Sequence, residues 1–176
     1  MILPTVVLLA GTAPIGCGIA ARSPDPQSSV PTPAQAIPQD VRLVLRLGER
    51  RLYVFDDDPG TAAESFPIAI GREGFETPTG RYQVEEMIEH PDFLKFDNDA
   101  VPPRVIKRIP PGPTNPLGER WIGFAHGEGW TIGIHGTPNP ELLGRAVSHG
   151  CVRMRNADVV RVYDRIQLGT AVVVEP

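Results

Sequence analysis

The residues best suited to chemistry lie in one stretch in the last quarter of the chain. His135 and His149 both precede Cys151 there. A cysteine attacks as its thiolate, and a free thiol ionises only near a pKa of about 8.5, so it needs help at neutral pH. An imidazole can take the thiol proton and later return it to a leaving amine. Because His135 ends a predicted strand and precedes Gly136, the sequence predicts Cys151 as a nucleophile with His135 as its rigidly presented base.

The run Ser148-His149-Gly150-Cys151 predicts a tight turn around this nucleophile. Gly150 lets a substrate approach the backbone, and the N–H groups of such a turn can stabilise a tetrahedral oxyanion. Arg153 follows two residues later and shares a face with Cys151 if the stretch is extended. Its guanidinium suits a substrate carboxylate; the alternative is that Arg153 braces the loop or pairs with an acid such as Asp158.

Less specific interpretations stand beside these. A cysteine is often a small buried apolar residue, and His149 can be structural support rather than a proton donor. Two histidines and one cysteine are also a partial zinc ligand set, but no Cys-x-x-Cys pair accompanies them. The sequence therefore predicts no metal site, and a zinc peptidase or amidase is the distant alternative. Trp121 is interpreted as a core or groove-wall residue.

The composition fits one exported domain. The chain has 176 residues and a net charge of -4, which excludes the basic footprint of a nucleic-acid binder. Residues 1–21 are uncharged and centred on an apolar run, which predicts a signal without its usual basic start; a lipidated Cys17 that tethers the protein to a membrane is the alternative. Residues 22–39 are rich in proline and serine and predict a disordered linker, so residues 40–176 form the folded domain.

The folded domain is predicted to be mainly β with one or two short helices. A hairpin is expected over residues 41–55, and alternation or β-branched runs predict further strands at 66–71, 81–84, 120–125, 130–135 and 171–175. A helix is predicted from an Asn156 cap toward Gly169, with a shorter one at 141–146. No period is evident over 87–118, which predicts a long irregular loop. This loop is either a lid or groove wall, or a surface excursion without a role.

His135-Gly136 followed by Ser148-His149-Gly150-Cys151-Val152-Arg153-Met154 resembles the signature of the YkuD-type L,D-transpeptidase catalytic domain. The stretches Thr77-Pro78-Thr79-Gly80 and Asn115-Pro116-Leu117-Gly118 resemble that family as well. The resemblance implies a β-sandwich-like catalytic fold over residues 40–176. It implies that His135 is the general base, that the Gly136 carbonyl orients it, that Ser148 and His149 shape the site, and that Arg153 serves the substrate or the turn.

The same resemblance implies a reaction and its setting. The Cys151 thiolate would attack a peptidoglycan tetrapeptide stem, release D-Ala and leave a thioester that an amine acceptor resolves. No cofactor is expected, and the enzyme is expected to work as a monomer in the periplasm or cell envelope. Hydrolysis of the same thioester, as in an L,D-carboxypeptidase, and a non-catalytic peptidoglycan-binding protein are the alternatives.

Overall fold

A computed structural model of the chain describes residues 41–56, 63–97, 104–127 and 130–176. The predicted signal, the predicted linker and Cys17 lie outside these residues. In chain order the strands of the described part are β1 (Arg42–Arg46), β2 (Arg51–Phe55), β3 (Glu64–Pro67), β4 (Ile70–Gly71), β5 (Gly80–Gln83), β6 (Glu86–Glu89), β7 (Phe93–Asp97), β8 (Arg104–Ile109), β9 (Arg120–Gly127), β10 (Trp130–His135), β11 (Ala146–Ser148), β12 (Val152–Arg153) and β13 (Ala171–Glu175). The prediction of a mainly β fold is confirmed.

The larger sheet has five strands in the order β3-β2-β1-β13-β5. The predicted hairpin forms its centre, with β1 and β2 antiparallel, and the C-terminal strand β13 runs parallel to β1. Alternate residues of these strands are buried because one face of the sheet covers the core. This sheet is the scaffold that carries the smaller sheet and the site.

The smaller sheet has four strands in the order β12-β10-β9-β6. β9 and β10 form a long antiparallel pair, and β12 joins β10 in parallel, with Arg153 opposite His135. Tyr82 of the large sheet meets Phe124 of the small sheet edge-on, with ring centroids 5.4 Å apart. One continuous apolar core, with residues such as Leu43 and Ile134, joins the two sheets.

The predicted strand at 66–71 is broken, and the break serves the site. β3 ends at Pro67, which has no N–H to continue the ladder. Ala69 then forms a bridge to Arg153, and β4 pairs in parallel with β11. The chain thus leaves the five-stranded sheet to flank the segment that contains Cys151.

The prediction of an irregular loop over 87–118 is wrong, because β6, β7 and β8 lie in it. β7 and β8 form a hairpin whose second strand is exposed on both faces, from Arg104 to Arg108. The Asn115 amide is fully buried and donates to the carbonyls of Pro91, Ile109 and Pro110, at 2.8, 3.1 and 3.1 Å. These bonds fasten the base of the hairpin to the domain.

The helices are shorter than predicted. α1 spans Asn156–Tyr163, and Arg155 occupies its N-cap position without a side-chain hydrogen bond, so Asn156 is not the cap. The chain leaves the helix at Asp164, well before Gly169, although Ile166 remains buried. The helix predicted at 141–146 is only a 3₁₀ turn, Pro140–Leu142, and Ala146 already belongs to β11.

Candidate active site

The segment that carries Cys151 is held on both sides by backbone pairing. Before the nucleophile, β11 pairs with β4; after it, β12 pairs with β10. Ala69 and Arg153 exchange two backbone hydrogen bonds of 3.0 and 2.9 Å. Because both ends are fixed, the turn between them has little freedom to shift the thiol relative to the sheet.

Ser148 organises this turn from the inside. Its hydroxyl, on a residue only 1% exposed, donates to the Cys151 carbonyl and accepts the Gly150 N–H at 3.2 Å. Ser148 therefore acts on the backbone of the turn. The Gly150 N–H is used within the turn, which leaves neighbouring amides as the candidate donors to an oxyanion.

Thr77 closes the turn from the outside, a role that its side chain was not predicted to have. The residue is buried, its hydroxyl donates to the Gly150 carbonyl at 2.8 Å, and it accepts the Gly71 N–H at 3.0 Å. The turn-type stretch Thr77-Pro78-Thr79-Gly80 and its family resemblance marked this segment, but they did not indicate the contact, which joins residues 73 positions apart.

Gly150 is required by its backbone conformation. Its φ is 105°, a value that side-chain-bearing residues rarely adopt, and an added Cβ would lie 2.7 Å from Ile132 Cδ1. We expect Gly150→Ala to lower the free energy of unfolding by about 1–3 kcal/mol through backbone strain and to displace Cys151. Urea unfolding and the rate of Cys151 alkylation measure the two effects. Gly144→Ala is the control, because Gly144 also has a positive φ but no atom within 4 Å of its added Cβ; equal losses of alkylation rate in both variants would contradict this account.

His135 is placed as the sequence predicts, at the end of β10, and is 3% exposed. Its Nδ1 lies 2.6 Å from the Gly136 carbonyl oxygen. Because a carbonyl only accepts, Nδ1 carries the proton in the neutral ring and Nε2 is left to take another. The ring therefore has the tautomer of a general base.

Cys151 is 4% exposed and directly precedes β12, the strand that runs beside β10. Its Sγ lies 4.0 Å from the Thr131 carbonyl oxygen, the limit for a weak S–H hydrogen bond. The pairing of Ile134 with Val152 brings the nucleophile segment alongside the strand that ends in His135. The structure thus places the segments that carry the predicted thiol and the predicted base side by side at one edge of the small sheet.

His149 lies on the outside of the turn and is exposed. Its ring packs edge-on against Phe75, with centroids 4.8 Å apart. Partial burial, followed by the positive charges of Arg72 and Arg153, holds the pKa of His149 below its ordinary value of 6.5. The neutral ring is therefore favoured in the folded protein.

This lowered pKa predicts a pH effect on stability. Below about pH 6.5 the unfolded chain binds a proton at His149 that the folded protein resists, so the free energy of unfolding falls as the pH drops toward the folded-state pKa. We expect His149→Gln to reduce the stability loss between pH 7.5 and 5.5 by a fraction of a kcal/mol, since the ring is exposed. Urea midpoints at the two pH values measure this, and an unchanged difference would contradict it.

Arg153 is half-buried and lies opposite His135 in the sheet. Among the described residues no carboxylate comes within salt-bridge distance of its guanidinium, so the predicted alternative of a pair with Asp158 is wrong. Arg72 adds a second positive charge nearby, with its guanidinium 4.1 Å from the Phe75 ring centroid. The surroundings of the turn are therefore electropositive.

At Gly136, the residue after His135, the backbone contacts the first residue of α1. A Cβ there would lie 2.0 Å from Asn156 Oδ1, so the missing side chain admits the Asn156 amide. That oxygen also accepts the Glu119 N–H at 3.3 Å. Asn156, interpreted from sequence as a cap, instead packs the first turn of α1 against the backbone that orients His135.

A metal set does not form from these residues. Within the described ranges no three side chains of His, Cys, Asp or Glu come together as a metal-binding group. The zinc alternative therefore lacks a ligand set in this part of the chain.

Comparisons with known proteins agree with the geometry. The family model YkuD, the L,D-transpeptidase catalytic domain, matches residues 40–174. YqjB of Bacillus subtilis, which carries an L,D-transpeptidase name, is 36% identical over 141 residues, 78% of this chain and 73% of that protein. ErfK/SrfK of Escherichia coli, with the same type of name, is 36% identical over 160 residues, 85% of this chain but 49% of that protein. The chain thus spans about half to three quarters of these relatives.

Solved structures show the same fold. L,D-transpeptidase 3 from Mycobacterium tuberculosis superimposes with a TM-score of 0.59 at 18% identity, covering 77% of this chain and 61% of that chain. The catalytic domain of the Enterococcus faecium L,D-transpeptidase gives 0.56 at 21% identity, covering 77% and 96%. Because the family model matches most of the chain, residues 40–174, this chain belongs to the YkuD family of L,D-transpeptidase catalytic domains.

Proposed function

We propose that the protein is a peptidoglycan L,D-transpeptidase with Cys151 as nucleophile and His135 as general base. The observation that carries this is the clamped turn, which places Cys151 directly before the strand that pairs with the strand ending in His135, whose Nδ1 is tied to the Gly136 carbonyl. Family membership and the transpeptidase names of the relatives give the substrate class. No cofactor is needed for this chemistry.

The first half of the reaction forms a thioester. The Cys151 thiol proton passes to Nε2 of His135 as the sulfur attacks the carbonyl of the L-centred residue in a tetrapeptide stem. The tetrahedral intermediate collapses, the C–N bond to D-Ala breaks, and the leaving amine takes the proton from His135. The thioester on Cys151 and a neutral His135 remain.

The second half transfers the acyl group. An acceptor amine attacks the thioester and its proton passes to His135. The C–S bond then breaks, and the sulfur takes that proton from His135, which restores the thiol and the neutral ring. Net, one amide is exchanged for another. Arg153 is proposed to bind a substrate carboxylate, because it is the register partner of His135 and no carboxylate among the described residues forms a salt bridge with it. Ser148 and Gly150 keep the turn in shape, and His149 flanks it as a neutral ring.

Two alternatives use the same residues differently. Water as acceptor would make the enzyme an L,D-carboxypeptidase, and a non-catalytic peptidoglycan-binding protein would not acylate at all. The second is disfavoured because a binding protein has no need of a histidine held in the base tautomer beside a thiol.

The proposed setting is the cell envelope, with an exported, monomeric enzyme and either a cleaved signal or a tether at the N-terminus. The proposed location is supported by the substrate class and by the composition of residues 1–21. Among the described residues no helix is long and apolar enough to span a bilayer. No nucleic-acid partner is proposed.

Product analysis tests the proposal. Purified protein is incubated with disaccharide-tetrapeptide, and products are separated and identified by mass spectrometry. Release of D-Ala together with a cross-linked dimer is expected. Formation of tripeptide without dimer, even when an amine acceptor is added, would favour the carboxypeptidase. Binding without D-Ala release would favour the non-catalytic peptidoglycan-binding protein.

A further inference from the structure

Trp121 forms a platform under the proposed base. Its ring and that of His135 are nearly parallel, with an interplanar angle of 21° and centroids 5.9 Å apart. The two side chains are 0% and 3% exposed. An aromatic ring at this offset favours a cation on its face, and a protonated imidazole is such a cation.

Two glycines make room for this ring. A Cβ on Gly133 would lie 2.7 Å from Trp121 Cζ2, and a Cβ on Gly123 would lie 3.0 Å from Trp121 Nε1. Gly123 and Gly133 are paired across β9 and β10, so the indole covers a surface on which no side chain stands. The ring therefore has a fixed place, and His135 packs against it rather than against a flexible side chain.

Glu86 fixes the far edge of the indole. It lies on β6 opposite Gly123, and its Oε2 accepts the indole N–H at 2.8 Å. Among the described residues no basic group forms a salt bridge with this carboxylate. A backbone carbonyl would satisfy an indole N–H equally well, whereas the carboxylate also places a negative charge at the edge of the stack.

We propose that Trp121 and Glu86 are positioning residues that hold the His135 ring in line with Cys151 and stabilise its protonated form during the reaction. This inference rests on the proposed function only for its kinetic consequence. The stack itself predicts a property of His135 that is measurable without substrate.

Other charged groups around His135 make such support useful. Arg153 on β12 is the register partner of His135 and brings a positive charge to this part of the sheet, and Cys151 directly precedes that strand. On the opposite face of β9, Arg120 is paired with Glu89 and lies 5.3 Å from the Tyr163 ring of α1. Glu86 and Trp121 therefore offset the positive charge of Arg153 on the face that carries the base.

The experiment follows the proton affinity of His135 by NMR titration of its ring in a Cys151→Ala background, which removes the coupled thiol. Glu86→Gln keeps an acceptor for the indole and removes only the charge; Trp121→Phe keeps a ring with a weaker face. We expect Trp121→Phe to lower the proton affinity by up to about thirty-fold, the upper span of a cation–π contact, and Glu86→Gln to lower it by more than about twofold through loss of the negative charge. Both should lower kcat of the Cys151 enzyme more than they raise KM. A proton affinity unchanged in Glu86→Gln would overturn the inference.

Glu85→Gln is the matched control. Glu85 neighbours Glu86 in sequence but is exposed and pairs with His126 at 3.1 Å, so its loss should leave His135 unchanged within twofold. An equal fall of the His135 proton affinity in Glu85→Gln would overturn the inference, because any acid near the ring would then have the same effect. If Trp121→Phe does not fold, Glu86→Gln decides alone. The titration needs no turnover, so its result stands apart from failure of the transpeptidase assay.

Discussion

Cys151→Ala is expected to abolish D-Ala release and cross-linking, with kcat lower by about 10³- to 10⁶-fold, because loss of the nucleophile removes the covalent route entirely. The wild-type protein should also gain the mass of one acyl group after exposure to a tetrapeptide stem or a carbapenem, on the peptide that contains Cys151. The variant should gain none. Intact-protein mass spectrometry followed by peptide mapping measures this.

The fold should survive this change. Cys151 is buried at 4% exposure, and loss of one sulfur atom costs about 1 kcal/mol, while the Ser148 hydrogen bonds to the turn involve only backbone groups of residues 150 and 151. An unchanged circular dichroism spectrum and a melting temperature lower by only a few degrees are the control. Retained transpeptidation in a well-folded Cys151→Ala protein would contradict the cysteine mechanism.

The five-stranded sheet was largely predictable from the sequence, because its strands cover the core with one face. The alternation of Leu43 and Leu45 in β1, and of Val172 and Val174 in β13, follows directly from a sheet that buries every second residue. The hairpin β7–β8 lacks such a pattern. Val105 and Ile106, at 48% and 52% exposure, stand beside exposed basic residues, so no period marks the strand.

The candidate site was predictable where the residues are close in the chain. His135 ends a strand, and Cys151 sits in a four-residue turn, so composition and spacing alone indicated a thiol and its base. Thr77 and Glu86 were missed because their contacts cross 73 and 35 positions. Only the folded arrangement of β4, β6 and β9 brings these side chains to the turn and to the indole.

Asn156 shows a different limit. Its type and place before a helical pattern indicated a cap, but two neighbouring backbones, at Gly118 and Gly136, leave a gap into which its side chain fits. The helix begins one residue earlier than predicted, at Asn156 itself, and the Asn156 side chain serves tertiary packing instead of the helix end. Propensity alone cannot distinguish these uses, because both satisfy a backbone N–H with the same oxygen.

His135→Asn is expected to lower kcat by about 10²- to 10⁴-fold, the usual worth of a general base. The variant cannot take the thiol proton, so Cys151 should also react more slowly with iodoacetamide at pH 7. Above about pH 9 the thiol ionises without help, and the alkylation rates of variant and wild type should converge. Kinetics of D-Ala release and the pH dependence of alkylation give the two measurements.

His90→Asn is the matched control, since it makes the same replacement at an exposed histidine. His90 pairs with Glu119 at 3.0 Å, and its φ of 49° is one that asparagine tolerates well, so this variant should keep both activity and alkylation profile. A His135→Asn protein that is folded and alkylates at pH 7 as fast as the wild type would show that His135 does not ionise Cys151. Slow alkylation that persists above pH 9 would instead mean that the thiol had become inaccessible, since a freely ionised thiolate needs no base to react.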